Sequence, residues 1–240
     1  MLVTVITFAL FTTFVTAEIP SYFHVCNRRD PNLDQCIMKS VNNLKSKLCK
    51  GIPELEVPPL EPLRLPKLIL SETNNIKLYI DDLEVLGICG YTLNDVHVDL
   101  DKLTLKLNAT LNNIFFNSTY DFDIRIMVAI ATKGQLSFTA NYLNLNLLCD
   151  LKMATKSGKK YLYMSKVTTN LEIEGFKTKF ENDKSNQLQE IIANFIGNNE
   201  KEILTTFTPA LEEAISKFVL STANNIMKHF TYDELFPDRT

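Results

Sequence analysis

Between residue 76 and about residue 180 the apolar side chains recur at every second position. The clearest run is Phe122, Ile124, Ile126, Val128 and Ile130, alternating with Asp121, Asp123, Arg125, Met127 and Ala129. A period of two matches a strand with one buried face. The same alternation in Leu103, Leu105 and Leu107, in Leu143, Leu145 and Leu147, and in Val167, Leu171 and Ile173 predicts consecutive strands in a long antiparallel meander. Leu136, Phe138 and Ala140 run in the opposite phase to Leu143 onward, which predicts a bulge near Tyr142.

The period lengthens to that of a helix on both sides of this region. Asp30-Pro31 has the residue types of a helix start, and Leu33, Cys36, Ile37, Leu44 and Leu48 then repeat on one face. Gly51 is placed to close that helix. Pro53, Pro58, Pro59, Pro62 and Pro66 follow, too dense for a helix or a central strand, and predict an extended strap with Leu55, Leu60 and Leu63 available for burial. After Asn182 helical spacing returns in Leu188, Ile191, Ile192 and Phe195, then in Ile203, Leu204, Phe207, Leu211, Ile215, Phe218, Thr222 and Ile226. Gly197-Asn198-Asn199 and Pro209 are predicted to interrupt or bend it. Unbroken from Lys184 to His229 it would be roughly 65 Å long, against a radius of gyration of about 17 Å for a compact chain of this length. Either the molecule is elongated or the helix is broken. A sheet long enough to wrap the helix would bury both apolar faces.

With 240 residues and a hydrophobic fraction of 45%, the chain can bury a substantial core. Its net charge of −3 gives none of the positive field that nucleic acid or an anionic membrane attracts. Met1 to Ala17 carries no charged side chain, is apolar from Leu2 to Val15, and ends in Val15-Thr16-Ala17. This reads as a cleaved secretory signal over residues 1–17, followed by a single domain over 18–240. An uncleaved anchor is the alternative, but a spanning helix needs about 20 apolar residues. No later segment is long and apolar enough for stable membrane insertion.

Secretion changes how the five cysteines read, because disulfides persist outside the cell and an odd count leaves one over. Cys26 and Cys36 flank the Asp30-Pro31 turn, so the entering chain can fold back on the first helical turns. Cys49, thirteen residues along the same helix, is about 20 Å away along the axis and cannot join that pair. Cys89 and Cys149 would pair only on adjoining strands, and buried free thiols are the preferred reading. The sequons Asn108-Ala109-Thr110 and Asn117-Ser118-Thr119 make Asn108 and Asn117 candidate glycosylation sites.

Candidate chemistry is sparse. Asp95, His97, Asp99 and Asp101 share one strand face, but residues two apart stand nearly 7 Å from each other along a strand, too far to share one small ion. No metal site is expected. His24 and His229 lie apart, no Gly-x-Ser-x-Gly elbow is present, and seven glycines supply no phosphate-cradling loop. No enzyme activity and no cofactor are expected. Phe176, Phe180, Phe195, Phe207 and Phe218 are either plain core or the lining of a cavity.

Pro20-Ser21-Tyr22, Cys26, Asp30-Pro31-Asn32-Leu33-Asp34-Gln35-Cys36, Gly51-Ile52-Pro53-Glu54-Leu55 and Pro58-Pro59-Leu60-Glu61-Pro62-Leu63 together resemble the takeout/juvenile-hormone-binding family of insects. The likeness continues through Asp99-Leu100-Asp101-Lys102-Leu103-Thr104-Leu105, Pro209-Ala210-Leu211-Glu212 and Tyr232-Asp233-Glu234-Leu235-Phe236-Pro237. The resemblance implies an α+β fold, an elongated, TULIP-like α/β-wrap in which a highly curved antiparallel sheet encloses a long C-terminal helix and leaves an apolar tunnel. It implies a Cys26–Cys36 disulfide, and it assigns no role to Cys49, Cys89 or Cys149. The ligands it implies are terpenoid hormones, fatty acyl chains or quinone-like lipids carried in extracellular fluid.

Binding residues vary within the family, so the expected lining rests on inward-facing positions alone: Phe122, Ile124, Ile126, Val128, Phe138, Tyr142, Leu145, Phe176, Phe195, Phe207, Leu211 and Phe218. A hydroxyl from Tyr142, Tyr161 or Tyr163 would add selectivity. The expected protein is a secreted monomer with a small hydrophobic ligand and no nucleic-acid partner. The alternative is an extracellular interaction protein whose core is filled by its own side chains and whose surface engages a receptor.

Overall fold

The computed structural model describes residues 19–125, 129–181 and 200–238. Helix α1 (Leu33–Lys50) begins two residues beyond the Asp30-Pro31 turn, where the Asp30 carboxylate accepts the Asn32 N–H at 2.8 Å. It ends at Gly51, whose φ of +82° and close approach to Val57 and Pro59, 3.0 Å from where a Cβ would sit, leave no place for a side chain. The proline-rich segment is not one continuous strap. It forms a 3-10 turn (Pro53–Leu55) and then a three-residue edge strand, β1 (Leu63–Leu65), bracketed by Pro62 and Pro66. Prolines are tolerated there because an edge strand can spare a donor.

Strands β2 (Leu68–Glu72), β3 (Ile76–Leu86), β4 (Thr92–Asp99), β5 (Thr104–Arg125), β6 (Ala129–Lys156) and β7 (Lys159–Glu181) complete a seven-stranded antiparallel sheet. β5, β6 and β7 pair in sequence order, as the alternation predicts. Along the far side of β5, β4 pairs with its first half and β3 with its second, while β1 and β2 add to β3. Strands of 22 to 28 residues are far longer than usual, and the sheet curls into a half-barrel.

The change of phase expected near Tyr142 is present, but not as a bulge in one strand. On β6, Leu136, Phe138 and Ala140 are buried at even positions, and Leu143, Leu147 and Cys149 at odd ones. On β5 the switch falls between Leu111 and Ile114, and on β7 between Leu171 and Phe176. The partners on either side keep their register across this point, Asn112 with Tyr142 and Ile114 with Ala140, then Tyr142 with Glu174 and Ala140 with Phe176. All three strands invert together along a crease through Asn113, Asn141 and Gly175, and Asn113 (φ +54°) and Gly175 (φ +67°) absorb the turn of the backbone.

The C-terminal helix α2 (Glu200–Met227) lies across the open side of this half-barrel, touching β7 at one edge and β2 at the other. It runs through Pro209 as α-helix, so Pro209 does not interrupt it. A missing N–H removes one rung of the ladder, and the packing of Phe207, Leu211 and Ala214 on either side holds the turn. Gly197-Asn198-Asn199 lies outside the described residues. A short helix, α3 (Tyr232–Leu235), follows, started by a capping box in which Thr231 and Glu234 satisfy each other's backbone N–H groups.

Two disulfides are present. Cys26–Cys36 closes the entry turn, and Cys49–Cys89 ties the last turn of α1 to the 3-10 turn Ile88–Gly90 between β3 and β4. The second corrects the reading of Cys89 as a free thiol. α1 packs Ile37, Met38 and Val41 over Leu93, Val96 and Ala109, and this brings the two Cα atoms to 5.9 Å, inside the window a disulfide needs. Cys149 remains a free, buried thiol.

Candidate functional site

The inner face of the sheet and one face of α2 form a single apolar surface. On β5, Ile114, Phe116, Ser118 and Tyr120 are each at most 5% exposed. Phe116 stacks on Phe138 of β6 with centroids 3.9 Å apart, and Phe176 of β7 tilts against Phe138 at 5.2 Å. Facing them, α2 contributes Phe207, Leu211, Ala214, Ile215 and Phe218, which fall on one side of a helix by their spacing. Toward the other end of the sheet the same surface continues through Leu145, Leu147, Cys149, Leu151, Leu162 and Met164, covered by Val219, Leu220, Ala223 and Met227 of α2 and by Tyr232 of α3.

Polar groups on α2 fasten it to the free edge of β7. Glu212 accepts the Leu171 N–H at 2.8 Å, and the Ser216 and Thr169 hydroxyls meet at 2.6 Å. Asn224 accepts the Met164 N–H and donates to the Met164 carbonyl. An edge strand must have its backbone donors and acceptors covered, and here helix side chains stand in for another strand. The sequence signal for this was three polar residues, Glu212, Ser216 and Asn224, on a helix whose apolar neighbours face the sheet.

Of the expected lining residues, Phe122, Phe138, Leu145, Phe176, Phe207, Leu211 and Phe218 come together in this cluster. Ile124 lies in the β5 ladder opposite Ile76 and Ile130. Ile126, Val128 and Phe195 lie outside the described residues. Tyr142 stands apart, since the crease at Asn141 puts it in the phase opposite to buried Leu143. Tyr161 and Tyr163 alternate with buried Leu162 and Met164, and Tyr163 is 38% exposed. The hydroxyls that do turn inward belong to Tyr120 and Tyr91. The Tyr91 Oη is buried without a hydrogen-bond partner among the described residues, and burial raises its pKa above the usual phenol value. Tyr120 was legible as the next inward position after Phe116 and Ser118.

Other candidate groups sit elsewhere. His97 points outward and pairs its Nδ1 with Asp34 of α1 at 2.9 Å, and the other oxygen of Asp34 accepts the Val98 N–H, so the pair docks the helix on β4. Asp99 accepts N–H groups from Asp101 and Lys102 and pairs with the Lys102 ammonium. Among the described residues no three His, Cys, Asp or Glu side chains group so as to hold a metal ion. Asn117 is exposed on the outer face, whereas Asn108 is half-buried and hydrogen-bonded to Asn94, Asn144 and Asn146.

Burial pushes the Cys149 thiol up to about 11, with Asp150 adding to the shift. A thiol that stays protonated at pH 8 is a poor nucleophile. Cys149 is therefore expected to resist iodoacetamide at pH 8 in the folded protein and to react fully in denaturant, as read by intact mass.

The sequence model of one family, haemolymph juvenile hormone binding protein (JHBP), matches residues 3–237. The chain belongs to that family. Among curated relatives, a Schistocerca gregaria protein described as beta-carotene-binding is 26% identical over 225 residues, 89% of this chain and 88% of that protein. The circadian clock-controlled protein daywake of Drosophila yakuba is 24% identical over 217 residues, 85% of this chain and 84% of the relative. Takeout 1 of Epiphyas postvittana has a similar structure, with a TM-score of 0.73 at 16% identity, covering 89% of this chain and 99% of the other. That likeness fixes the fold as the curled sheet with a C-terminal helix. No helix of the described residues is long and apolar enough to cross a membrane.

Proposed function

We propose that this JHBP-family protein is a secreted carrier that holds a small, elongated hydrophobic molecule, a terpenoid hormone, a fatty acyl chain or a quinone-like lipid, in an apolar tunnel between the sheet and α2. The observation that supports it is the apolar surface running from Phe122 to Leu151, two clusters joined through Leu145 and Ile215, under a helix that covers the open side of the sheet. Burying about 400 Å² of ligand surface there would contribute roughly 10 kcal/mol before association and ordering are subtracted. That gross figure lies between the roughly 8 kcal/mol of a micromolar complex and the roughly 12 kcal/mol of a nanomolar one, so the costs of association leave micromolar or weaker binding without polar contacts. The buried hydroxyl of Tyr91 offers a place for one ligand oxygen. The leader read at residues 1–17 and the family's haemolymph name support an extracellular site of action. Occupancy of Asn117 by a glycan, and less readily of Asn108, belongs to the same reading.

The tight Phe116–Phe138 stack favours a second reading, in which the protein's own side chains fill the space and its surface engages an extracellular receptor. Titration with cis-parinaric acid separates the two. The carrier shows saturable uptake at one probe per chain, and Leu211→Trp, which fills the helix–sheet interface, weakens it at least tenfold. Absence of saturable uptake by the folded parent protein would overturn the carrier reading.

A further inference from the structure

The net charge of −3 hides an uneven distribution. Between Asp150 and Glu172 the chain carries five lysines, Lys152, Lys156, Lys159, Lys160 and Lys166, and no acidic residue. The other 219 residues hold 20 Lys and Arg against 28 Asp and Glu, a net charge of −8. Four of the five lysines lie on the hairpin where β6 turns into β7 through Ser157-Gly158.

This hairpin extends past the core. Leu151 and Leu162 are the last buried residues of the two strands, 7% and 3% exposed, and every residue from Lys152 to Lys160 is exposed. Met153 lies on the same face as Leu151 but is 39% exposed, so the core leaves it partly uncovered. On the other face Tyr163 stands opposite Lys152 in the ladder and is 38% exposed. Elsewhere five described lysines are matched with carboxylates, Lys67 with Asp81, Lys102 with Asp99, Lys133 with Asp121, Lys217 with Glu213 and Lys228 with Glu56. Among the described residues none of the hairpin lysines is in an ion pair. Of the acidic groups on neighbouring elements, Asp150 stands beside Lys166 in the ladder, and Asp233 of α3, which is engaged by Arg28, borders one surface cleft with Lys159 and Lys160.

We propose that this hairpin tip is a docking surface for an anionic phospholipid membrane. Four unpaired ammonium groups supply attraction to a negative leaflet, and each basic side chain at such a surface strengthens partitioning about fivefold. Met153 and Tyr163 supply the second element, an apolar and an amphipathic side chain of the kind that settles at the headgroup level. The tip is an exposed two-stranded hairpin with apolar groups on opposite faces, which suits insertion among mobile headgroups better than the flat, matched patch that a folded acidic partner requires. The contact is peripheral and reversible, since no helix of the described residues is long and apolar enough to cross a bilayer. It stands on the hairpin alone and does not depend on what the concave face holds.

The test is cosedimentation of the purified full chain with vesicles of pure phosphatidylcholine and with vesicles containing 30% phosphatidylserine. Binding to the anionic vesicles is expected to exceed that to the neutral ones by at least tenfold and to weaken with added salt. Lys152→Gln, Lys156→Gln, Lys159→Gln and Lys160→Gln combined are expected to lower it by two orders of magnitude or more. These exposed substitutions should leave the thermal melt unchanged. Met153→Ser with Tyr163→Ser is expected to weaken binding at high salt, where the electrostatic part is screened. Equal partitioning onto both vesicle types, or anionic binding that survives the quadruple substitution, overturns the proposal. So does saturable capture of soluble polyglutamate without vesicle binding, which would assign the tip to an acidic polypeptide instead.

Discussion

Replacing both Cys49 and Cys89 by alanine is expected to lower the free energy of unfolding by about 4 kcal/mol, against about 3 kcal/mol for the Cys26 and Cys36 pair. The ranking follows from loop length, since the two bridges close separations of 40 and 10 residues, and the longer loop takes more entropy out of the unfolded chain. The native contacts point the same way. Cys49–Cys89 anchors the end of α1, and without it the seat of α1 on β4 rests on Ile37, Met38, Val41 and the Asp34–His97 pair. Urea unfolding of the two double variants and the parent, followed by far-UV circular dichroism, measures both losses. Equal losses, or the larger one at Cys26 and Cys36, would contradict the loop argument.

Gly175→Ala is expected to destabilise by about 3 kcal/mol, combining the strain of a side chain at φ +67° with overpacking. A Cβ there would meet the Asn141 side chain at 2.5 to 2.8 Å, and one of the clashing atoms is the Asn141 Cβ, which cannot swing away. For a domain of this size the melting temperature should fall by about 6–12 °C. Gly158→Ala is the control. Gly158 also has a positive φ, +76°, but nothing lies within 4 Å of its Cβ position, so only the backbone strain of about 1 kcal/mol should appear. Scanning calorimetry of the two variants isolates the contribution of the crease. Two similar melting temperatures would mean that Asn141 yields and that the crease tolerates a side chain.

The strands and the apolar face of α2 were legible in the sequence because one buried face imposes a period, and Leu143 through Leu147, or Phe207 through Phe218, keep it. Cys89 was not legible, since nothing near it in the chain shows that α1 folds back beside the turn preceding β4. Tyr142 illustrates a subtler limit. The opposed phases of Phe138 and Leu143 revealed that something inverts, but where the inversion falls decides which way Tyr142 faces, and that place is set by Gly175 on one neighbouring strand and Asn113 on the other. Local charge escaped in the same way. A total of −3 is a sum, and the spacing of Lys152, Lys156, Lys159 and Lys160 acquires meaning only once a hairpin carries them beyond the core.

The bonds from Glu212, Ser216 and Asn224 to β7 bear on how anything reaches the concave face. Lifting α2 sideways would break all of them together and bare a strand edge ready to pair with another molecule, a route that invites self-association. Lengthwise traffic through either end leaves those fastenings untouched. If the concave face holds a ligand as proposed, these fastenings favour a sleeve threaded lengthwise over a clamshell hinged along its side.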